Sequence, residues 1–125
     1  MSRSIRPGSD HTGQDLSGQD LTGQDLRGCN FTRANLRGAT LDNCQIHGAI
    51  FIEADMREIS FVTSQYGHSG GVANFSRAKL DGAKLISVDL SSGWLEDASF
   101  LGATLESVNF SEAIVRGADF TGADL

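Results

Sequence analysis

Proline, cysteine and histidine are scarce in this sequence. Its 125 residues include one proline, two cysteines and three histidines. Cys29 and Cys44 do not form a Cys-x-x-Cys pair and the histidines do not cluster, which argues against a zinc site and against a disulfide framework. We therefore expect two buried free thiols, no metal site and no cofactor.

Long apolar runs and an excess of positive charge are missing as well. No run approaches the roughly 18 apolar residues of a transmembrane helix, and the first twenty residues lack the apolar segment of a signal peptide. These absences predict a cytoplasmic protein without a membrane contact. Ten Lys and Arg residues against sixteen Asp and Glu residues give a net charge of −6, which argues against direct nucleic-acid binding because phosphate contacts need a basic face.

Glycine, in contrast, is abundant. Fifteen glycines accompany the single proline, whereas a disordered chain would be rich in both and collagen would impose a three-residue period. The composition therefore indicates frequent turns within a folded chain. A length of 125 residues fits one domain.

A five-residue repeat is the dominant pattern. A large apolar residue, here called the central residue, recurs at every fifth position, and this position holds all seven phenylalanines and eleven of the twelve leucines. All twelve alanines lie two residues before a central residue. The central residues form two series, of ten and eleven members: Leu16, Leu21, Leu26, Phe31, Leu36, Leu41, Ile46, Phe51, Met56 and Phe61, then Phe75, Leu80, Leu85, Leu90, Leu95, Phe100, Leu105, Phe110, Val115, Phe120 and Leu125.

The five-residue period excludes the simpler elements. A helix would scatter residues five apart around its circumference, and a long strand would place successive central residues on opposite faces. The pattern instead predicts short extended pieces in which a small residue points in, a polar residue points out and a large residue points in. A corner follows each piece, and glycine stands there in nine repeats, where its tolerance of unusual φ suits a tight turn.

These units resemble a known family. Residues 34–38 (Ala-Asn-Leu-Arg-Gly) and 118–122 (Ala-Asp-Phe-Thr-Gly) are similar to the A(D/N)LxG unit of the pentapeptide-repeat family, and the resemblance covers residues 14–63 and 73–125. It implies an all-β fold, a right-handed quadrilateral β-helix with four repeats per coil and about five coils. It also implies a module that binds proteins or acts as a structural scaffold, with no catalytic residues.

The segments without repeats predict the domain organisation. Residues 1–12 are expected to be a mobile tail, residues 13–125 a single β-helix, and residues 64–72 a loop that projects from it. The loop carries Tyr66 and His68, and it is either a tolerated insertion or a recognition loop. Residues 67–71 match the G-x-S-x-G pattern of esterases, but that chemistry needs a preceding strand, a following helix and triad partners, so we expect no enzyme.

Apolar residues at outward positions are candidates for partner contacts. Trp94 and Ile114 both stand just before a central residue and are twenty residues apart, so they should stack on one face. Tryptophan is strongly enriched in binding hot spots, which makes this face the first candidate. Ile50 and Ile52 flank Phe51 and form a second candidate.

An acidic surface is the alternative candidate. The family includes quinolone-resistance proteins that resemble duplex DNA and bind type II topoisomerases such as DNA gyrase. The resemblance therefore implies a second hypothesis, an acidic DNA mimic whose surface would include Asp89, Asp119 and Asp124. Lys79 and Lys84 interrupt this negative face.

The C-terminal coil predicts self-association. The repeat runs to Leu125, and an uncovered coil exposes apolar side chains and unpaired backbone. Homodimerisation through this coil is one explanation, and a continuation of the chain or a frayed last coil are the others. The protein partner itself is not identified by the sequence.

Overall fold

The computed structural model describes residues 4–63 and 72–125. Within these ranges the backbone forms short extended segments and turns, with no helix. Three strands, β1 (Ser60–Val62), β2 (Lys84–Ile86) and β3 (Thr104–Glu106), form a parallel sheet in the order β1-β2-β3. The all-β prediction is therefore confirmed for the described residues. None of these residues belongs to a helix long and apolar enough to cross a membrane.

Stacked coils form a β-helix. Parallel bridges join residues twenty apart, as in Asp10 with Asn30 and Asp15 with Asn35, so that four repeats complete one coil. Across the insertion the spacing is 24, as in Ile50 with Asn74. The described coils on both sides of residues 64–71 thus stack in the same register although four more residues separate them.

The described corners are tight turns that contain a residue with a positive φ, and this residue is often glycine. At Leu16 the carbonyl accepts a hydrogen bond from the N–H of Gln19 at 3.2 Å, and Gly18 between them has a φ of 68°. A positive φ at the third residue is the mark of a type II turn. Where glycine is absent, other residues hold the same left-handed conformation: Arg33, Asn43, Glu53, Glu58, Val72, Arg77, Ser87, Ser92, Asp97, Ser107 and Glu112.

The core runs along the axis of the coils and, except in the terminal repeats, contains the two inward positions of each described repeat. Central residues such as Leu16 and Leu36 are fully buried, and so are alanines such as Ala39 and Ala83. Central residues of successive coils stack directly. The ring centroids of Phe31 and Phe51 are 5.1 Å apart and those of Phe51 and Phe75 are 4.9 Å apart, which forms a ladder of nearly parallel rings.

The first coil begins earlier than the sequence predicted. The N–H of Gly8 donates to the Arg27 carbonyl at 2.9 Å and that of His11 donates to the Asn30 carbonyl at 2.7 Å. The His11 ring stacks on Phe31 at 5.2 Å in the place of a central residue. Ile5 is only 6% exposed. Residues 5–12 therefore pair with the following coil, and His11 occupies the position that leucine holds in other repeats.

One residue of the predicted loop, Val72, is described. Residues 64–71 lie outside the described residues. Val72 already belongs to the coil, since its N–H donates to the Ser91 carbonyl at 3.0 Å. Its φ of 57° places a β-branched residue in the left-handed region, which is a strained position normally suited to glycine. The second described range thus begins at a strained turn.

Candidate functional site

One flank of the β-helix carries an apolar column. The outward residues that precede the central residues are bridged from coil to coil, from Ile50 to Asn74, from Asn74 to Trp94 and from Trp94 to Ile114. Trp94 is 40% exposed and Ile114 is 42% exposed. We call Ile50, Trp94 and Ile114 the apolar column. The structure thus brings Ile50 into line with Trp94 and Ile114, although the sequence suggested a separate site.

Ile52 lies beside this column. It follows Phe51 on the same flank and is half-buried. Tyr66 and His68, the candidates in the loop, lie outside the described residues, so their place relative to the column stays a prediction. Four of the six predicted contact residues therefore occupy one side of the β-helix.

The outward columns of the other three flanks are polar. At the equivalent positions they carry aspartate, asparagine, glutamine, serine, threonine or lysine. Their described members are Asp15, Asn35, Asp55, Lys79, Ser99 and Asp119; Asp20, Thr40, Ser60, Lys84, Thr104 and Asp124; and Asp25, Gln45, Asp89 and Asn109.

Aspartate and asparagine cap the turn that follows them. One carboxylate oxygen of Asp15, Oδ1, accepts hydrogen bonds from the backbone N–H of Ser17 at 3.1 Å and from its hydroxyl at 2.7 Å. Asn30 makes the same pair of bonds with Thr32. This contact satisfies a turn N–H that has no backbone partner. These outward carboxylates therefore stabilise the turns of the β-helix.

The apolar column lacks this cap. An aliphatic or indole side chain cannot accept the hydrogen bond. Among the described residues, no acceptor is found for the backbone N–H groups of Ile52, Glu96 and Arg116, which follow the three column residues. The apolar side chains thus replace a stabilising contact, and turn stability does not account for their presence.

Two turns are capped from the neighbouring coil, an arrangement that the sequence did not predict. Asp42 Oδ1 accepts hydrogen bonds from the Ser60 hydroxyl at 2.8 Å and from the Val62 N–H at 3.0 Å. Asp81 binds the Ser99 hydroxyl in the same way and the Leu101 N–H at 3.1 Å. In both cases the serine stands where aspartate or asparagine is usual. The sequence signal is an aspartate just after a central residue, twenty positions before an uncapped turn.

The three aspartates proposed as an acidic surface do not lie together. Asp89 is bridged to Asn109, Asp119 to Ser99 and Asp124 to Thr104, which places them on three different flanks. Asp119 Oδ1 already accepts the N–H of Thr121 at 3.0 Å. The corners of the coil separate the three aspartates, and their part in an acidic surface stays a prediction.

Net charge differs between the middle coils and the C-terminal coils of the β-helix. Residues 26–85 contain seven basic and five acidic residues, a net charge of +2, whereas residues 86–125 contain one basic and seven acidic residues, a net charge of −6. In the first of these segments Glu53 pairs with Arg33 at 3.5 Å and with Arg77 at 3.3 Å. The acidic character is concentrated in the coils that carry Trp94 and Ile114.

The caps predict a loss of stability in acid. Hydrogen bonds from Ser17 and Thr22 lower the pKa values of Asp15 and Asp20 below their ordinary value. A folded-state pKa below the unfolded one contributes stability that is present above about pH 4 and is lost as pH falls through the folded value. We expect the melting temperature to fall below pH 4, and to fall less in a variant with Asp15→Asn and Asp20→Asn, because asparagine caps without titrating. Melting curves between pH 7 and pH 2.5 would test this, and equal acid sensitivity of both proteins would contradict it.

Two thiols are the remaining candidates for reactive groups among the described residues. Cys29 and Cys44 are free and buried, as predicted. Burial raises the pKa of Cys44 to about 12, so its thiol is unreactive at neutral pH. Within the described ranges, no group of three or more His, Cys, Asp or Glu side chains could hold a metal. Open depressions of about 510 Å³ and 340 Å³ lie at the two ends, at Leu125 and Ile5, away from the apolar column.

Solved structures provide a comparison for the fold. HetL, a pentapeptide repeat protein involved in heterocyst differentiation regulation in the cyanobacterium Nostoc, is 23% identical over 91% of this chain with a TM-score of 0.53, and the chain spans 62% of its length. A pentapeptide repeat protein from the Arabidopsis thaliana thylakoid lumen is 32% identical, with 94% of this chain and 69% of that chain covered and a TM-score of 0.43. QnrB1, a plasmid-mediated fluoroquinolone resistance protein, is 22% identical, and the alignment covers 98% of this chain and 68% of QnrB1 with a TM-score of 0.34.

Sequence comparison assigns the family. No curated protein matches the chain significantly. The pentapeptide repeat profile matches eight copies within residues 15–51 and 95–125, which is more than half of the chain. The chain belongs to the pentapeptide repeat family.

Proposed function

We propose that this chain is a non-enzymatic protein-interaction module that binds its partner through the apolar column. The proposal treats the chain as a right-handed quadrilateral β-helix of about five coils, a rigid scaffold whose flank presents the contact residues. One observation carries it. At the outward position that is polar on the other three flanks, one flank holds Ile50, Trp94 and Ile114 together with the polar residues Asp10, Asn30 and Asn74.

Two physical arguments support a binding role for this column. Each of its three residues gives up a turn cap, so stability of the turn does not favour them. Trp94 is a large amphipathic side chain with 40% exposure on a rigid backbone, and such a side chain gains much by burial against a partner while it loses little conformational freedom.

The test uses a substitution that restores the cap and removes the contact. We expect Trp94→Asp to fold, because the new carboxylate can accept the N–H of Glu96, and to lose a partner that wild type retains from an extract of the source cells. Asn109→Asp is the matched control, since it adds the same charge on another flank and keeps the cap on Ser111. Quantitative mass spectrometry of the retained proteins gives the result. Identical sets of proteins on all three baits would contradict the proposal.

A DNA mimic that binds DNA gyrase or another type II topoisomerase is the second candidate. It rests on the net charge of −6 in residues 86–125 and on the fluoroquinolone resistance protein among the similar structures. Against it, Lys79 lies between Asp55 and Ser99 in its column, and Lys84 lies between Ser60 and Thr104. Binding by a mimic would weaken steeply with salt, whereas binding through the apolar column persists when salt is raised.

Homodimerisation through the C-terminal coil is part of the proposal. Val115 is 43% exposed and Leu125 is 80% exposed, which gives this coil an apolar surface suited to a second copy. Its rim is acidic, with Glu106, Asp119 and Asp124, so two copies repel each other at low ionic strength. We expect light scattering to give a mass of twice 13.3 kDa and a dimer fraction that rises with salt. A monomer at every salt and protein concentration would contradict this.

A further inference from the structure

We propose that the partner segment bound by the apolar column is a basic amphipathic α-helix that lies along the axis of the β-helix. This inference rests on the proposed function and adds the chemistry and the secondary structure of the partner. Backbone pairing, spacing and charge at the column each contribute to it.

Backbone pairing excludes the addition of a strand at this flank. The N–H of Trp94 donates to the Ala73 carbonyl at 3.0 Å, and the Trp94 carbonyl accepts the N–H of Phe75 at 2.6 Å. The N–H of Ile114 donates to the Gly93 carbonyl at 2.9 Å, and its carbonyl accepts from Leu95 at 2.7 Å. Both backbone groups of these residues are thus used between coils, and a partner can engage the column only through side chains.

The spacing of the column matches a helix. Successive coils are about 4.8 Å apart, as neighbouring strands are, and one helical turn rises about 5.4 Å. Ile50 and Ile114 are three coils apart, a distance of roughly 14 Å that about ten helical residues would span. Helix side chains at positions i, i+7 and i+10 or i+11 therefore lie opposite Ile50, Trp94 and Ile114, and the side chain at i+3 or i+4 lies opposite Asn74. In a strand, side chains on one face are ~6.6 Å apart, which differs more from the spacing between coils than the rise of a helical turn does.

The charges around the exposed part of the column are acidic. Glu96 follows Trp94 by two residues, and Glu112 precedes Ile114 by two residues, so one carboxylate lies on each side. Arg116 approaches Glu96 at 4.0 Å and is itself largely exposed. Residues 86–125 have a net charge of −6. A helix that carries Lys or Arg on both sides of its apolar stripe is the electrostatic complement of this surface.

A peptide selection tests the inference, because it requires no identified partner protein. The whole chain would be immobilised and used to select from a displayed library of random peptides of about 16 residues, long enough for four helical turns. We expect the selected peptides to share apolar residues at helical spacing and a positive net charge. They should become helical on binding by circular dichroism and change the fluorescence of Trp94, the single tryptophan of the chain. Raising the salt concentration should remove only a modest part of their affinity, because the apolar contacts with the column persist.

Substitutions in the apolar column test whether the selected peptides bind there. We expect Trp94→Asp and Ile114→Asn each to weaken the selected peptides at least tenfold, and Asn109→Asp to leave them within about twofold. Melting curves of the variants confirm that they are folded. Peptides with acidic charge or with apolar residues at alternate positions would overturn the inference, and so would binding that is unaffected by both column variants or a selection that yields no binder. Each of these outcomes would contradict the basic helix but would not contradict the proposed function. The proposed function is contradicted only if the extract experiment finds no retained protein whose binding depends on Trp94.

Discussion

Replacing Phe51 with alanine is expected to lower the melting temperature by on the order of 10 °C, the largest loss for a single substitution in this chain. Phe51 is fully buried. Its ring lies between those of Phe31 at 5.1 Å and Phe75 at 4.9 Å. Truncation removes both ring contacts and leaves a cavity that the coils above and below cannot fill, which costs about 3–5 kcal/mol.

The control for this prediction is Phe51→Leu. Leucine occupies the equivalent place two coils further on, at Leu95, so the leucine variant keeps most of the buried volume and should lose much less stability. Thermal unfolding followed by circular dichroism measures both variants. A melting temperature of the alanine variant within about 2 °C of wild type would show that the ring ladder does not stabilise the fold.

Replacing Ala78 with phenylalanine is expected to have the second largest effect. Ala78 is fully buried in a column of small residues, with Ala54 one coil below and Ala98 one coil above. A ring at this position has no space inside the coil, and overpacking of this kind costs about 1–3 kcal/mol or more. We expect a clear fall in the melting temperature and a broader transition.

The matched control adds the same ring one residue further along the chain. Lys79 is exposed and points outward, since neighbouring residues of an extended segment face opposite sides. Lys79→Phe should therefore leave the melting temperature nearly unchanged. Equal losses in the two variants would overturn the assignment of inward and outward positions on which the apolar column depends.

The sequence alone predicted the fold well because every repeat contains its own signals. A central residue such as Leu36, a small residue such as Ala34 and a capping residue such as Asn35 are all local, and they recur so often that tertiary context has little to add. The same regularity predicted that Trp94 and Ile114 stack one coil apart. Their role as partner contacts stays a prediction.

The missed features depend on contacts between coils. Ile50 was not aligned with Trp94 because the insertion makes their separation 44 residues instead of a multiple of twenty. His11 was not recognised as a central residue because its place is set by stacking on Phe31. The cap that Asp42 provides to Val62 joins residues twenty positions apart, which a pattern within one repeat cannot reveal.

The spacing of 24 between Ile50 and Asn74 has an evolutionary consequence. An insertion of one repeat in the coil path would advance every later residue by a quarter turn and move Trp94 to a neighbouring flank, away from Ile50. The surface survives only changes that add a whole coil of twenty residues or that leave the coil path altogether. A longer form of this protein would therefore keep the apolar column if it gained an entire coil, whereas the gain or loss of a single repeat between residues 50 and 114 would divide the column between two flanks.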